Sequence, residues 1–435
     1  MAGRVLIRNA FLPGVGPRAT VVLSGRTVSE VAPSGRSVEG RPGDWDVDAD
    51  GRLVVPGQVD AHTHLALGAL LRAAGLPGRA PPTLADLRAD VVQRAEERLT
   101  PARLGPLVRA GALSALRAGT TCALDVFRGA RGAAADLLET AAEGLASIGL
   151  RAAVAYGARG ARGRPDGLDE VQAAVAFAEH RTEHPRVRGT VGLGALAELS
   201  DEALDLAAQH ARRAGLQACA GEDESDLAHA FARWGRRPIE VLAHSGLLGP
   251  RTVVAHGGVA VHAEGVALAD AGATLAVTLR SATYRGLPIA PVSAFSGLGV
   301  QVAFGTDGLF PDPAGEAAAA AMLLRHAERT ARAGQALTGR VAWPAAARVA
   351  STLFGEKLGA LEPGALADVV VLDWRPPVPL PEVSAGDLAI LWAGAPAAWV
   401  VVDGEVRLRE GRLLGGDEAE IAARAREAAS ELVAR

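Results

Sequence analysis

The chain has 435 residues, 49% hydrophobic and 22% charged, with a formal net charge of −4 and two cysteines, which is enough chain for a large core with appendages. It has no basic block to mark a nucleic-acid surface, no uninterrupted run of 18 apolar residues to mark a membrane span, and no apolar leader with a small-residue cleavage site after Met1. The expectation is a cytoplasmic protein acting on a small molecule, without nucleic-acid or membrane partners, and with Cys122 and Cys219 too far apart to frame a disulfide scaffold.

Residues 4 to 55 read as short strands broken by Gly or Pro, at Arg4 to Asn9, Thr20 to Leu23 and Thr27 to Val31. Next, Leu53-Val54-Val55-Pro56-Gly57-Gln58-Val59-Asp60-Ala61-His62-Thr63-His64 carries an apolar run through a Pro-Gly break to two histidines at i and i+2. In extended backbone the side-chain period is two, so His62 and His64 share a face, the disposition two ligands of one metal ion need. Leu65 to Leu99 is long, Pro- and Gly-interrupted and partly helical, which suits a lid over the strand end.

From Thr100 the chain alternates. Thr100-Pro101 reads as N-cap and N1 of a helix stopped at Gly119. Strands follow at Thr120 to Val126, Leu150 to Tyr156, Arg188 to Leu196, Leu216 to Gly221, Thr252 to His256, Thr274 to Leu279 and Val300 to Gly305. Helices are predicted at Ala133 to Ile148, Leu168 to His180, from Ser200, and at Leu227 to Trp234, Val261 to Ala271, Ala314 to Arg332 and Val341 to Leu353. With the strand at His62 there are eight apolar strands, most followed by helix, the pattern of a (β/α)8 TIM-type barrel rather than an open doubly wound sheet. Chain character returns to β at Ala367 to Asp373, Trp399 to Val402 and Glu405 to Leu408, the last two joined by an Asp403-Gly404 hairpin turn. The predicted organisation is therefore a β-sandwich of 1–55 with 360–415, a barrel over 56–359, and a C-terminal helix over 416–435 whose apolar face offers a surface for a homodimer.

Ligand-type residues gather at the predicted strand ends: Cys219 and Glu222 in Ala218-Cys219-Ala220-Gly221-Glu222, His256 in Val253-Val254-Ala255-His256-Gly257-Gly258, and Asp307 in Gly305-Thr306-Asp307-Gly308. With His62 and His64 they form a mixed N/O/S set that suits Zn²⁺ or Fe²⁺ better than Mg²⁺ or Ca²⁺.

These motifs, together with Ala118-Gly119-Thr120-Thr121 and Leu361-Glu362-Pro363-Gly364-Ala365-Leu366-Ala367-Asp368, resemble the amidohydrolase superfamily, in particular its mononuclear branch of S-adenosylhomocysteine deaminase, guanine deaminase and triazine hydrolases. The resemblance implies a barrel with a composite sandwich, one divalent metal, and hydrolysis of a C–N or C–Cl bond of a small, often heterocyclic substrate. It makes His62, His64 and Asp307 metal ligands, and Asp307 also the acceptor of the activated water's proton. His256 is implied to meet that water or the substrate at the metal, and Glu222 to shuttle a proton to the ring nitrogen or leaving group.

Two departures stand out. Cys219 occupies the place of a family histidine, as a substitute thiolate ligand or as a small buried hydrophobe that leaves the metal short of a ligand. Val277-Thr278-Leu279-Arg280-Ser281-Ala282 keeps Arg-Ser but lacks the branch histidine, which counts against a nucleoside substrate. A bridging carboxylated lysine, the mark of the binuclear branch, is excluded because the sole lysine, Lys357, lies beyond the eighth strand. The competing reading is a barrel that has lost hydrolysis and acts as a binding or non-hydrolytic biosynthetic protein. Read singly, Asp307 before Gly308 is a turn aspartate, Glu222 in Glu222-Asp223-Glu224 a solvated loop or first helical turn, and Arg72 a solvent-exposed arginine.

Overall fold

The computed structural model describes residues 3–74, 92–160, 165–330, 341–376 and 389–433; the central part of the predicted lid segment, 75–91, lies outside the described residues. Eight parallel strands form one sheet in chain order: β6 (Gln58–Thr63), β7 (Thr120–Phe127), β8 (Arg151–Tyr156), β9 (Val187–Leu193), β10 (Leu216–Ala220), β11 (Thr252–His256), β12 (Thr274–Val277) and β13 (Gln301–Phe304). Their buried Val, Leu and Ala side chains on both faces are what a parallel sheet enclosed by helices requires. The sheet is nearly closed into a (β/α)8 barrel at the meeting of β6 and β13. Here Asp307 N–H donates to the His62 carbonyl at 3.0 Å, and the buried Asp60 carboxylate accepts from Thr306 N at 2.9 Å and from Thr306 Oγ1 at 2.5 Å. Gly305 makes this approach possible, because a Cβ there would lie 2.8 Å from the His62 carbonyl oxygen.

Capping explains where the helices begin and end. Helix Pro101–Arg117 starts after Thr100 with proline at its first turn, and helix Asp201–Ala214 is capped by Ser200, whose hydroxyl accepts from Ala203 N. Helix Glu224–Trp234 begins three residues earlier than predicted, because Asp223 Oδ1 accepts from Asp226 N at 2.9 Å.

Two corrections bear on the barrel mouth. The seventh barrel strand ends at Val277, and Leu279–Arg285 is a helix stopped by Gly286 at φ +66°, so the predicted strand Thr274 to Leu279 is too long. Short helices Pro238–His244 and Val292–Gly297 occupy two connections for which no helix is predicted.

Both chain ends form sheets below the barrel. One has the order β3-β2-β1-β4, from β1 (Val5–Leu12), β2 (Gly16–Ser24), β3 (Thr27–Ala32) and β4 (Trp45–Asp48), with β4 parallel to β1. The other has the order β17-β16-β15-β14-β5, from β5 (Val54–Pro56), β14 (Val369–Leu372), β15 (Ala397–Val402), β16 (Glu405–Arg409) and β17 (Arg412–Leu413). They share one core, with Val5, Ile7 and Val21 against Val54, Val369, Val371 and Val401. The β15–β16 hairpin turns at Asp403-Gly404, with φ of +57° and +78°. Helix Glu418–Val433 buries Ile421, Ala425, Ala429 and Leu432, and Arg98 and Arg103 bind its last turn. Its apolar face is covered by its own chain.

Candidate metal and catalytic centre

The barrel mouth brings together every residue that the sequence reading singled out. His62 is next to last in β6 and His64 lies just past its end, their ring centroids 4.8 Å apart and nearly perpendicular. His64 Nδ1 donates to the Val126 carbonyl at 2.5 Å, so the neutral ring carries its lone pair on Nε2, 3.3 Å from Asp307 Oδ1. Against the opposing pull of burial, that carboxylate raises the imidazole above its ordinary range, and a bound cation would displace the proton it holds. His62 Nε2 is 3.7 Å from the same oxygen and, though buried, has no hydrogen-bond partner. Burial and the neighbouring His64 and His256 hold His62 well below the ordinary imidazole range, so it is neutral. A buried lone-pair nitrogen without a donor is costly in a core and apt for a cation.

Across the mouth, the His256 ring lies 5.2 Å from that of His62, and its Nδ1 meets Thr278 Oγ1 at 3.2 Å. Cys219, on β10 beside β11, joins them: ligand atoms of His62, Cys219 and His256 lie within 4.8 Å of one another, as do those of His62, His64 and Asp307. His62 belongs to both groups, so the two sets adjoin at its imidazole. Two imidazoles of fixed orientation, a carboxylate and a thiol fit a divalent zinc-type ion.

Backbone strain marks the same place. His256 and Asp307 have φ of +77° and +55°, conformations that non-glycine residues seldom adopt. At Asp307 the turn aims the carboxylate at the histidines, so the turn-aspartate reading is correct for its backbone and incomplete for its side chain.

Glu222 is buried just beyond β10. The acidic run around it divides its labour: Asp223 caps the following helix, and Asp226 reaches back to accept from Gly221 N at 2.5 Å, fixing the turn that presents Glu222 inward.

One central residue was missed in the sequence. Arg285 donates from Nη1 to Glu222 Oε1 at 2.7 Å and from Nη2 to Asp307 Oδ2 at 2.7 Å, while its Nε donates to Ser281 Oγ at 3.1 Å. Ser281 Oγ in turn donates to Asp307 Oδ2 at 2.6 Å. Burial alone would raise the Asp307 carboxyl, but Arg285 and the nearby histidines hold it well below the ordinary carboxylate range. The available signal was helical: Ser281 and Arg285 are four apart and followed by Gly286, so a helix there places both on one face. Arg280, retained from the family pattern, instead binds buried Glu316 and the carbonyls of Phe310 and Asp312, fastening the loop after β13. Arg72 is exposed yet donates to the Gly308 carbonyl at 2.8 Å, serving the same loop.

A cavity of about 130 Å³ opens over these groups, walled by His64, Glu222, His256, Arg285 and Asp307, and a second of about 260 Å³ adjoins it. The arrangement can hold a divalent cation, orient one carboxylate for proton transfer and enclose a small substrate.

Comparison with known proteins gives the same picture. The 5-methylthioadenosine/S-adenosylhomocysteine deaminase of Halobacterium salinarum is 30% identical over 405 residues, covering 90% of each chain. The 5'-deoxyadenosine deaminase of Methanoregula boonei is 28% identical over 99% of this chain and 96% of its own. Among solved structures, an adenosine deaminase from Xanthomonas campestris with bound zinc superposes with a TM-score of 0.83 at 22% identity, covering 98% of both chains. An atrazine chlorohydrolase from Arthrobacter aurescens, complexed with zinc, does so with a TM-score of 0.80 at 22% identity, over 98% of this chain and 100% of that one. Residues 53–407 match the model of the amidohydrolase family, and with barrel, strand-end ligands and full-length relatives in agreement, the chain belongs to that family.

Proposed function

We propose that the protein is a zinc-dependent aminohydrolase that removes an amino group from a small, nucleoside-like N-heterocycle. The observation that carries this reading is the pair of ligand groups, one of His62, Cys219 and His256 and one of His62, His64 and Asp307, that share His62, whose buried Nε2 has no hydrogen-bond partner. The relatives named as deaminases, and the zinc in two structural neighbours, support it over a non-hydrolytic binding protein.

In this reading Cys219 serves as a ligand in place of histidine, beside His62, His64, His256 and Asp307. A divalent cation bound there lowers the pKa of water toward neutrality and polarises the reacting carbon. Glu222 accepts a proton from the attacking water and delivers it to the ring nitrogen or departing amine, so that the C–N bond breaks, a C–O bond forms and ammonia leaves. Arg285 holds one oxygen of Glu222 and one of Asp307, positioning both carboxylates. Asp307 presents Oδ1 to the histidines while Oδ2 is occupied by Ser281 and Arg285, which favours a ligand role and leaves proton transfer chiefly to Glu222.

The same reading places the domain division at 1–55 with 360–415, 56–359 and 416–435, supported by the shared core of the end sheets. Among the described residues no helix is long and apolar enough to cross a membrane, and Cys122 and Cys219, which form no disulfide, suit a cytoplasmic setting. A homodimer would use a surface other than the apolar face of the C-terminal helix, which its own chain covers.

The test pairs metal quantification with ammonia release from adenosine-type nucleosides and free amino-heterocycles. Expected are one zinc per chain, loss of zinc in Cys219→Ala, recovery in Cys219→His, and a Glu222→Gln variant that keeps zinc but loses turnover. A folded wild type that stays inactive on all these substrates after zinc loading would favour the binding-protein reading. Full turnover by Glu222→Gln would remove Glu222 from its role.

A further inference from the structure

Arg128 follows β7 and lines both cavities over the centre. Its guanidinium is partly exposed to them, and among the described residues it makes no hydrogen bond or ion pair. The other arginines at the mouth are committed: Arg285 to Glu222 and Asp307, and Arg159 to Glu96, at 3.5 Å from Nη1 to Oε2.

The space Arg128 fills is cleared by two glycines at the ends of the next two barrel strands. A Cβ on Gly157 would lie 3.1 Å from Arg128 Nε, and one on Gly194 would lie 2.6 Å from its Nη2. Neither glycine has a positive φ, so backbone conformation does not require them. At Gly194 the guanidinium does, and at Gly157 the Arg128 and Val126 side chains share the constraint.

Glu96 lines the same two cavities as Arg128, makes no ion pair with it, and holds Arg159 through Oε2 alone. A guanidinium presents only donors and an ionised carboxylate only acceptors. Facing one small cavity, they complement a neutral edge carrying a carbonyl oxygen beside an N–H. A bare anion would also meet Glu96. An amino-heterocycle without an oxo group would leave Arg128 without an acceptor, a costly omission at a partly desolvated site.

We propose that Arg128 and Glu96 form a subsite for the lactam edge, –CO–NH–, of the substrate ring, so that the preferred substrates are oxo-substituted amino-heterocycles. For turnover this rests on the aminohydrolase reading; for binding it stands on its own. Arg128 lines the cavity that also holds His64, Glu222 and Asp307, so it reads the reacting ring rather than a remote tail. The larger cavity beyond it is left for any substituent.

The test uses the zinc-loaded full chain. Binding of 2-pyridone, a neutral lactam, is measured by calorimetry against 2-methoxypyridine, which lacks both the carbonyl and the N–H. Wild type is expected to prefer 2-pyridone by roughly 10- to 100-fold, and Arg128→Met to lose that preference, with Arg128→Lys recovering part of it. Glu96→Ala, which leaves the arginine cradle intact, is expected to weaken 2-pyridone about tenfold, so the proposal stays testable if Arg128→Met fails to fold. Ammonia release is then compared for guanine and isocytosine, which carry the edge, and adenine and adenosine, which do not. If the pyridone preference holds but nothing is deaminated, the catalytic reading fails and the subsite stands. If adenosine is deaminated best, and Arg128→Met and Glu96→Ala bind 2-pyridone as wild type does, the subsite is overturned and the catalytic reading stands.

Discussion

Each end of the barrel sets an arginine between carboxylates, fully buried at one end and half-buried at the other, and they use it differently. At the N-terminal end Arg151, fully buried at the start of β8, donates Nε and Nη2 to both oxygens of Asp368 at 3.1 Å each, Nη2 to Asp403 at 3.0 Å, and Nη1 to the Pro185 carbonyl at 2.6 Å. Asp403 N closes the set on Asp368 Oδ1 at 2.7 Å. At the C-terminal end Arg285 likewise bridges two carboxylates, but around it His62 Nε2 and Asp125 Oδ2 are buried without partners, and His256 and Asp307 hold positive φ. The lower network is closed and joins the barrel to the sandwich; the upper one leaves its valences for something that binds. Where positive φ occurs below, at Asp403, a hairpin turn accounts for it, whereas no hairpin accounts for His256 or Asp307. A buried charge cluster therefore signals function by what it leaves unsatisfied.

Mutations should separate the two ends. The largest effect is expected for Glu222→Gln, a fall of about 10²- to 10⁴-fold in kcat with zinc content and melting temperature unchanged, read by steady-state kinetics beside metal analysis. Arg151→Met should do the reverse. It strands Asp368 and Asp403 in the interior at a cost of about 3–5 kcal/mol in denaturant unfolding, while folded protein keeps its kcat. Comparable loss of kcat in the two variants would erase the distinction.

Arg285→Met tests whether the upper arginine positions carboxylates or merely stabilises. The expected result is about a tenfold loss in kcat with a smaller change in KM, partly restored in Arg285→Lys, which can reach one carboxylate but cannot span both. An unchanged kcat with lowered stability would make Arg285 a counterpart of Arg151.

The smallest effect lies in the sandwich, remote from either network. Hydrogen bonding to Arg4 draws Asp44 down to about 2 from its usual 3.8, against the opposing pull of burial. A lowered folded-state pKa contributes stability that is present above the unfolded value and lost as pH falls. Asp44→Asn should thus be less stable than wild type above about pH 4, the curves converging as acid unfolding approaches pH 2. Parallel curves through that range would show that the pair contributes nothing.

Much of this was legible from residue order. All eight barrel strands fall where apolar runs predict them, because a parallel strand buried on both faces must be apolar along its whole length. Spacing alone placed His62 and His64 together, since strand geometry is local. Arg285 and Arg128 escaped notice for a shared reason: the groups that surround each come from other strands, and local periodicity carries no record of which strand ends become neighbours when the barrel closes. The β12 boundary failed because Thr278 and Leu279 extend the β-branched and apolar run of the strand by two residues, whereas the backbone leaves extended geometry at Thr278 and the helix that follows runs to Gly286 at φ +66°.

By itself, then, the sequence determined the architecture, the family and which strand ends carry ligand-type side chains, all of which follow from hydrophobic period, turn chemistry and short motifs. Only the tertiary structure decided that Cys219 stands within ligand distance of His62 and His256, that β5 leaves the N-terminal strands to pair with β14, and that one arginine of the mouth is committed to carboxylates while another faces the cavity. Those are facts of long-range distance. They are set when parallel strands take their register around a closed barrel, which brings together side chains that lie hundreds of residues apart along the chain.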